Sequence, residues 1–132
     1  MYTIELRIEG SALPLERVTE ILGIKPGLTR EAGSKIGSRY FDKSLWSYDG
    51  SDAVGGKNGE WDSLEEGLSF LMILLAGARG EFFGELSSFD IYWWCGSFNE
   101  SANGSVVFSA AFLKRLGDFG IPLYFDYYFS DI

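Results

Sequence analysis

The 132-residue chain contains no histidine. Imidazole-based catalytic triads are therefore excluded, and so are most zinc sites. Cysteine occurs once, at Cys95, so no internal disulfide can form. Its place in an alternating strand points inward. That reads as an inert core thiol, without the neighbouring base that a nucleophile needs. A lone buried thiol suits a reducing compartment. Positive charge is scarce: 11 lysines and arginines stand against 19 acids, for a net charge of -8 and a sequence pI of about 4.4. Such a chain repels phosphate backbones, which argues against nucleic acid as a partner. It favours a basic protein partner, which it would attract by electrostatic steering.

Long apolar runs are also missing. The most apolar stretch, residues 68–78, is about half the length needed to cross a bilayer, and Glu65 and Glu66 stand just before it. The opening M-Y-T-I-E-L-R-I-E has acids and no basic leader region, so it does not read as a secretory signal. A cytoplasmic protein with no membrane contact is expected.

What the chain has is core-forming material. Hydrophobic residues make up 46% and aromatics 17%, and the length suits one domain over residues 1–132. Tyr2, Ile4, Leu6 and Ile8 alternate with Thr3, Glu5, Arg7 and Glu9, the signature of a half-buried strand. Pro14 suits a helix start, Leu15, Val18, Ile21 and Leu22 recur at helical spacing, and Gly23 stops the run before Pro26. Residues 28–40 read as a loop or weak edge strand, and residues 44–49, holding Leu45, Trp46 and Tyr48, as a short strand. Residues 50–59 carry four glycines and read as a flexible loop able to act as a lid.

Ser63 and Glu66 have capping-box spacing at the head of the main helix. Leu64, Leu68, Leu71, Met72 and Leu75 form its buried stripe, and Phe70, Ile73 and Leu74 widen it enough to predict enclosure on more than one side. Residues 89–95 predict a strand, residues 99–104 a polar turn, and residues 105–108 a returning strand. Ser109 caps a helix carrying Ala110, Phe112, Leu113, Leu116 and Phe119, which Gly120 ends.

The last strand, I-P-L-Y-F-D-Y-Y-F from Ile121, places Ile121, Leu123, Phe125, Tyr127 and Phe129 on a core face. Pro122, Tyr124, Asp126 and Tyr128 take the other face. Strands and helices mix without strict alternation. The expected fold class is α+β: a two-layer sandwich whose mostly antiparallel sheet carries its helices on one face. The other face then collects Glu5, Arg7, Glu9, Asp90, Tyr92, Trp94, Tyr124, Asp126 and Tyr128, an acidic and aromatic surface.

Four features, in this order, give the chain a family likeness. The first strand ends in I-E-G at Gly10. The first helix leads into L-G-I-K-P at Leu22 to Pro26. S-L-W-S-Y at Ser44 to Tyr48 precedes the long helix. The C-terminal unit F-S-A-A-F-L-K-R-L-G-D-F-G-I-P-L-Y-F-D ends at Asp126. Over nearly its whole length the chain resembles the bacterial domain of unknown function 4279 family. The resemblance implies a single small α+β domain and carries over no catalytic residue. The glycine-rich insert at residues 50–59 is less typical of it.

Known site patterns fit poorly. Gly56-Lys57 suggests a phosphate loop, but the first glycine is out of register and Asn58 replaces the required Ser or Thr. Residues 49–60 have the length of a calcium loop, but Ala53 stands at a ligand position and Val54 where glycine must turn the chain. No catalytic residue, metal site or cofactor is assigned. The sequons at Asn99 and Asn103 lack a secretory context. Aromatics on a sheet resemble RNA-binding sheets, but the interleaved charges here are acidic.

The expected function is a non-enzymatic binding or inhibitory module, of the kind exemplified by bacterial immunity proteins. It would present Glu5, Glu9, Asp90, Tyr92, Trp94, Tyr124, Asp126 and Tyr128 to a basic protein partner. The alternative is a small-ligand binder or weak hydrolase, with Asp90 and Asp126 paired in a pocket beneath residues 50–59 beside Tyr92 and Trp94. A third arrangement is a homodimer that buries these aromatics across its axis.

Overall fold

The computed structural model describes residues 1–78, 80, 84–99 and 106–129. The elements are β1 (Tyr2–Gly10), α1 (Leu15–Leu22), β2 (Leu28–Arg30), β3 (Lys35–Ile36), β4 (Arg39–Tyr40), β5 (Ser44–Tyr48), β6 (Glu60–Trp61), α2 (Leu64–Leu75), β7 (Asp90–Asn99), α3 (Ala110–Phe119) and β8 (Leu123–Phe129). The main sheet runs β2-β5-β1-β7-β8, with β6 also on β1, while β3 and β4 form a separate small hairpin. All pairings are antiparallel except β7 with β8, which α3 connects as a parallel pair. This is the expected α+β architecture.

Local chemistry sets the helix ends. The Ser63 hydroxyl accepts from the Glu66 amide at 3.3 Å, and the Ser109 hydroxyl accepts from the Phe112 amide at 3.1 Å. Gly23 and Gly120 close α1 and α3 in left-handed conformation. The helices cover one face of the sheet, where Ile4, Leu6, Ile8, Trp46, Trp93 and Cys95 are fully buried. The Trp46 indole donates to the Thr19 hydroxyl of α1 at 3.0 Å, and Phe119 of α3 packs on Trp93 with centroids 5.4 Å apart. Helix α2 approaches closely because position 67 is glycine. A Cβ there would meet Ile4 Cδ1 at 2.4 Å and Trp61 Cγ at 2.8 Å.

Several expectations change. Ile73 is 73% exposed and Leu74 is also exposed, so the outer side of α2 is left uncovered by the described residues. A single helix layer gives its far side nothing to pack against. Residues 106–108 form no ladder; Val107 is exposed and the chain passes directly into α3. Residues 100–105, which include part of the expected turn, lie outside the described residues, as does the side chain of Phe129. In β8, Phe125 and Tyr127 occupy the helix-side face but are exposed. Alternation assigned their side of the sheet correctly, but the helix layer does not cover them.

The glycine-rich loop has a definite place. Strands β5 and β6 lie along the same edge of β1. A ladder that pairs Leu6 with Tyr48 would bring residue 52 opposite Tyr2, yet Trp61 stands there. The loop thus inserts nine residues into one strand lane. Successive turns close it: the amides of Ala53, Gly56 and Gly59 donate to the carbonyls of Gly50, Ala53 and Gly56. It packs on Phe70 and Leu71 of α2, the side of the sheet away from the acidic aromatic face. It is therefore not a lid over that face.

Candidate functional site on the open face

The period-2 alternation of β1 turns Glu5, Arg7 and Glu9 away from the helices. The register then sets Trp94, Tyr92 and Asp90 of β7 directly opposite them. Parallel pairing continues the face, with Tyr124 beside Trp94, Asp126 beside Gly96 and Tyr128 beside Phe98. All eight residues expected from the sequence share this one face.

They form local clusters. Near the middle, the Arg7 guanidinium donates to Glu5 at 3.0 Å and lies over the Trp94 ring, 4.2 Å from its centroid. Glu5 also accepts from the Ser47 hydroxyl. The Trp94 indole N–H donates to Asp126 Oδ2 at 2.7 Å. Gly96 makes that reach possible. A Cβ at Gly96 would stand 2.7 Å from Trp94 Cη2 and 3.1 Å from the Thr3 hydroxyl, so only a bare backbone lets the indole lie across it.

Beside this, the Tyr92 hydroxyl donates to Glu9 and its ring stacks on Tyr124, with centroids 4.3 Å apart and planes 19° from parallel. The stack leaves Tyr92 only 6% exposed although it faces outward. Burial first, and then the hydrogen bond to Glu9, push the Tyr92 phenol above its ordinary range; Arg7 partly opposes this. Arg7 itself is held charged: burial lowers its pKa, but Glu5 and Tyr92 outweigh that and raise it. Farther along, Phe98 stacks on Tyr128 at 4.9 Å and 8°.

Asp90 and Asp126 are not brought together. Asp90 opens β7, while Asp126 pairs with Gly96, six residues on, roughly 20 Å away at about 3.3 Å per residue. Each has its own partner: Lys43 lies 3.8 Å from Asp90, and Trp94 binds Asp126. Glycoside-cleaving pairs need carboxylates within about 10 Å. Asp90, Tyr92 and Tyr124 do line a cavity of about 270 Å³ with Ile121 and Pro122, from which Trp94 and Asp126 are absent. Among the described residues no cluster of acids or thiols is placed to hold a metal ion. Cys95 is buried on the helix side, where burial pushes its thiol up to about 12.

Phe98 and Gly96 belong to the site and were not expected there. The strand was expected to end at Cys95, but β7 runs on to Asn99. The continued alternation of Trp94, Gly96 and Phe98 was the available signal. No described helix is long and apolar enough to cross a membrane.

No curated protein and no solved structure matches the chain. A family model does match, over residues 1–130, and on that extent the chain belongs to the family described as Domain of unknown function (DUF4279).

Proposed function

We propose that this protein is a non-enzymatic binding module, acting as an inhibitor or carrier, that docks a basic polypeptide on the β7–β8 end of its open face. One observation supports this above others. Tyr124, Tyr128 and Phe98 stand 55%, 45% and 40% exposed, side by side on a sheet, and each ring is part of a stack. Rings held in place lose little conformational freedom on binding, which is what interface anchors require. Asp126 stands among them and supplies a carboxylate for a lysine or arginine. The net charge of -8 speeds encounter with a basic partner. Glu5 and Glu9 serve within the face, orienting Arg7 and Tyr92, rather than contacting the partner. A lone buried thiol fits cytoplasmic residence.

The test is crosslinked capture from the native host. The captured protein is then purified and titrated against wild type and a Tyr124→Ser, Tyr128→Ser double variant at low and high salt. The reading expects a basic protein whose affinity falls more than tenfold in the variant and also falls with salt. Capture that is indifferent to both would overturn it. A second reading rests on the 270 Å³ cavity at Asp90, Tyr92 and Tyr124, where a small hydrogen-bonding ligand would fit. A fragment screen that shifts the Tyr92 and Ile121 signals and leaves Tyr128 unmoved would favour that reading.

A further inference from the structure

At the other end of the open face, residues 39–43 enclose a recess of about 310 Å³ with Arg7 and Glu9 of β1 and Arg30 of β2. Arg7, Arg30, Arg39 and Lys43 line it, together with Glu9 and Asp42. Four of the chain's 11 cationic residues thus converge on one spot of a strongly acidic protein. Arg7 is paired with Glu5 and Lys43 with Asp90, which leaves Arg30 and Arg39 as the lining cations without an ion-pair partner among the described residues.

Phe41 organises the recess. Its amide donates to the Ser34 carbonyl at 3.0 Å and its carbonyl accepts from the Gly33 amide at 2.8 Å, so the ring is anchored by backbone. Two guanidiniums share that ring: Arg30 at 3.7 Å and Arg39 at 5.1 Å from its centroid. Neither forms an ion pair with any described residue. Two like charges on one ring repel, and Glu9 and Asp42, though they line the recess, form no ion pair with either. In addition, the Nε atoms of Arg7 and Arg30 are both buried without a hydrogen-bond partner. A buried unpaired donor costs about 1–3 kcal/mol. The recess thus combines two guanidiniums without ion pairs and room for an acceptor, and two of its lining arginines carry an Nε without a partner.

We infer that this recess binds a phosphate monoester. Guanidinium forks match the oxygens of phosphate and carboxylate alike. The two guanidiniums without an ion pair, Arg30 and Arg39, match the charge of a dianion better than that of a monocarboxylate. The volume exceeds a bare phosphate group and sits at the lower end for small-ligand pockets, leaving space for a modest organic part beside Tyr40. The site does not depend on the β7–β8 aromatic patch.

The test follows the Arg7 and Arg30 Nε–H signals by NMR as inorganic phosphate, phenyl phosphate, acetate and chloride are added at matched ionic strength. Saturable shifts are expected with both phosphates, tighter for phenyl phosphate. Arg39→Gln should weaken binding at least about tenfold, since a hydrogen bond to a charged group contributes about 1.5–3 kcal/mol. Lys43→Gln should weaken it less. Both side chains are exposed, so the fold tolerates the changes. Shifts that do not saturate, that chloride or acetate reproduces, or that survive unchanged in both variants would overturn the assignment.

Discussion

The two edges of the sheet are built on opposite plans. Strand β2 has three residues and ends in Arg30, whose side chain shares a recess with residues 39–43. Strand β8 has seven residues, pairs among the described residues with β7 alone, and exposes aromatic rings on both faces at Tyr124, Phe125, Tyr127 and Tyr128. Short, charged and covered edges are how proteins prevent unwanted strand pairing. A long, aromatic, open edge is what a partner-binding surface needs. Under the proposed function, β8 is the edge that receives the partner. Its order depends on the parallel ladder to β7, the strand on which Phe119 of α3 packs.

The contrast can be broken most severely through α3. Phe112 is fully buried, and Phe112→Ala should cost about 3–5 kcal/mol in urea unfolding. Amide exchange should then rise in β8 more than in β2. Equal loosening at both edges would show that they are not separately supported. Next in size is Gly96→Ala. Its methyl would stand 2.7 Å from Trp94 Cη2, so about 1–3 kcal/mol should be lost and the hydrogen-bonded indole N–H signal should move. An unmoved signal would mean that the indole does not need the bare backbone.

Alkaline pH should act on the middle of the sheet. The Cys95 thiol is raised in the fold to about 12, whereas an unfolded thiol titrates near 9. Its stability contribution is therefore complete below about pH 9 and is lost as pH climbs toward 12. The phenols of Tyr48 and Tyr92 are shifted the same way from 10, both first by burial. Unfolding free energy should fall from about pH 9 upward, and more steeply above pH 10 as the phenols join, by at most about 1.4 kcal/mol per pH unit for each group. Cys95→Ala should make the decline shallower between pH 9 and 10; an unchanged slope would show that the thiol does not contribute. The smallest effect is expected for Asp126→Asn, which keeps an acceptor for Trp94 at an exposed position. Stability should stay within about 0.5 kcal/mol, while affinity for a basic partner drops. A large loss of stability would make Asp126 structural.

Much of this was legible because it is local. Alternation in β1 assigns Glu5, Arg7 and Glu9 to one side whatever they meet there, and Ser63, Ser109, Gly23 and Gly120 mark helix ends through hydrogen bonds within a few residues. Alternation does not say whether a face is covered. Phe125 and Tyr127 carry the pattern of a core strand and remain exposed, and Ile73 does the same on α2.

By itself, then, the sequence determined the fold class, the capping residues that start α2 and α3, and the side of the sheet taken by Glu5, Glu9, Asp90, Tyr92, Trp94, Tyr124, Asp126 and Tyr128, since each follows from backbone period and neighbouring side chains. Only the tertiary structure decided the rest. Strand register separates Asp90 from Asp126 and lays the glycine-rich loop into a lane of β1 beside α2. Chain return over β2 brings Arg30, Arg39 and Phe41 together with Arg7. These placements depend on pairings between distant segments, and no short-range pattern encodes which residue of one strand stands opposite which residue of another.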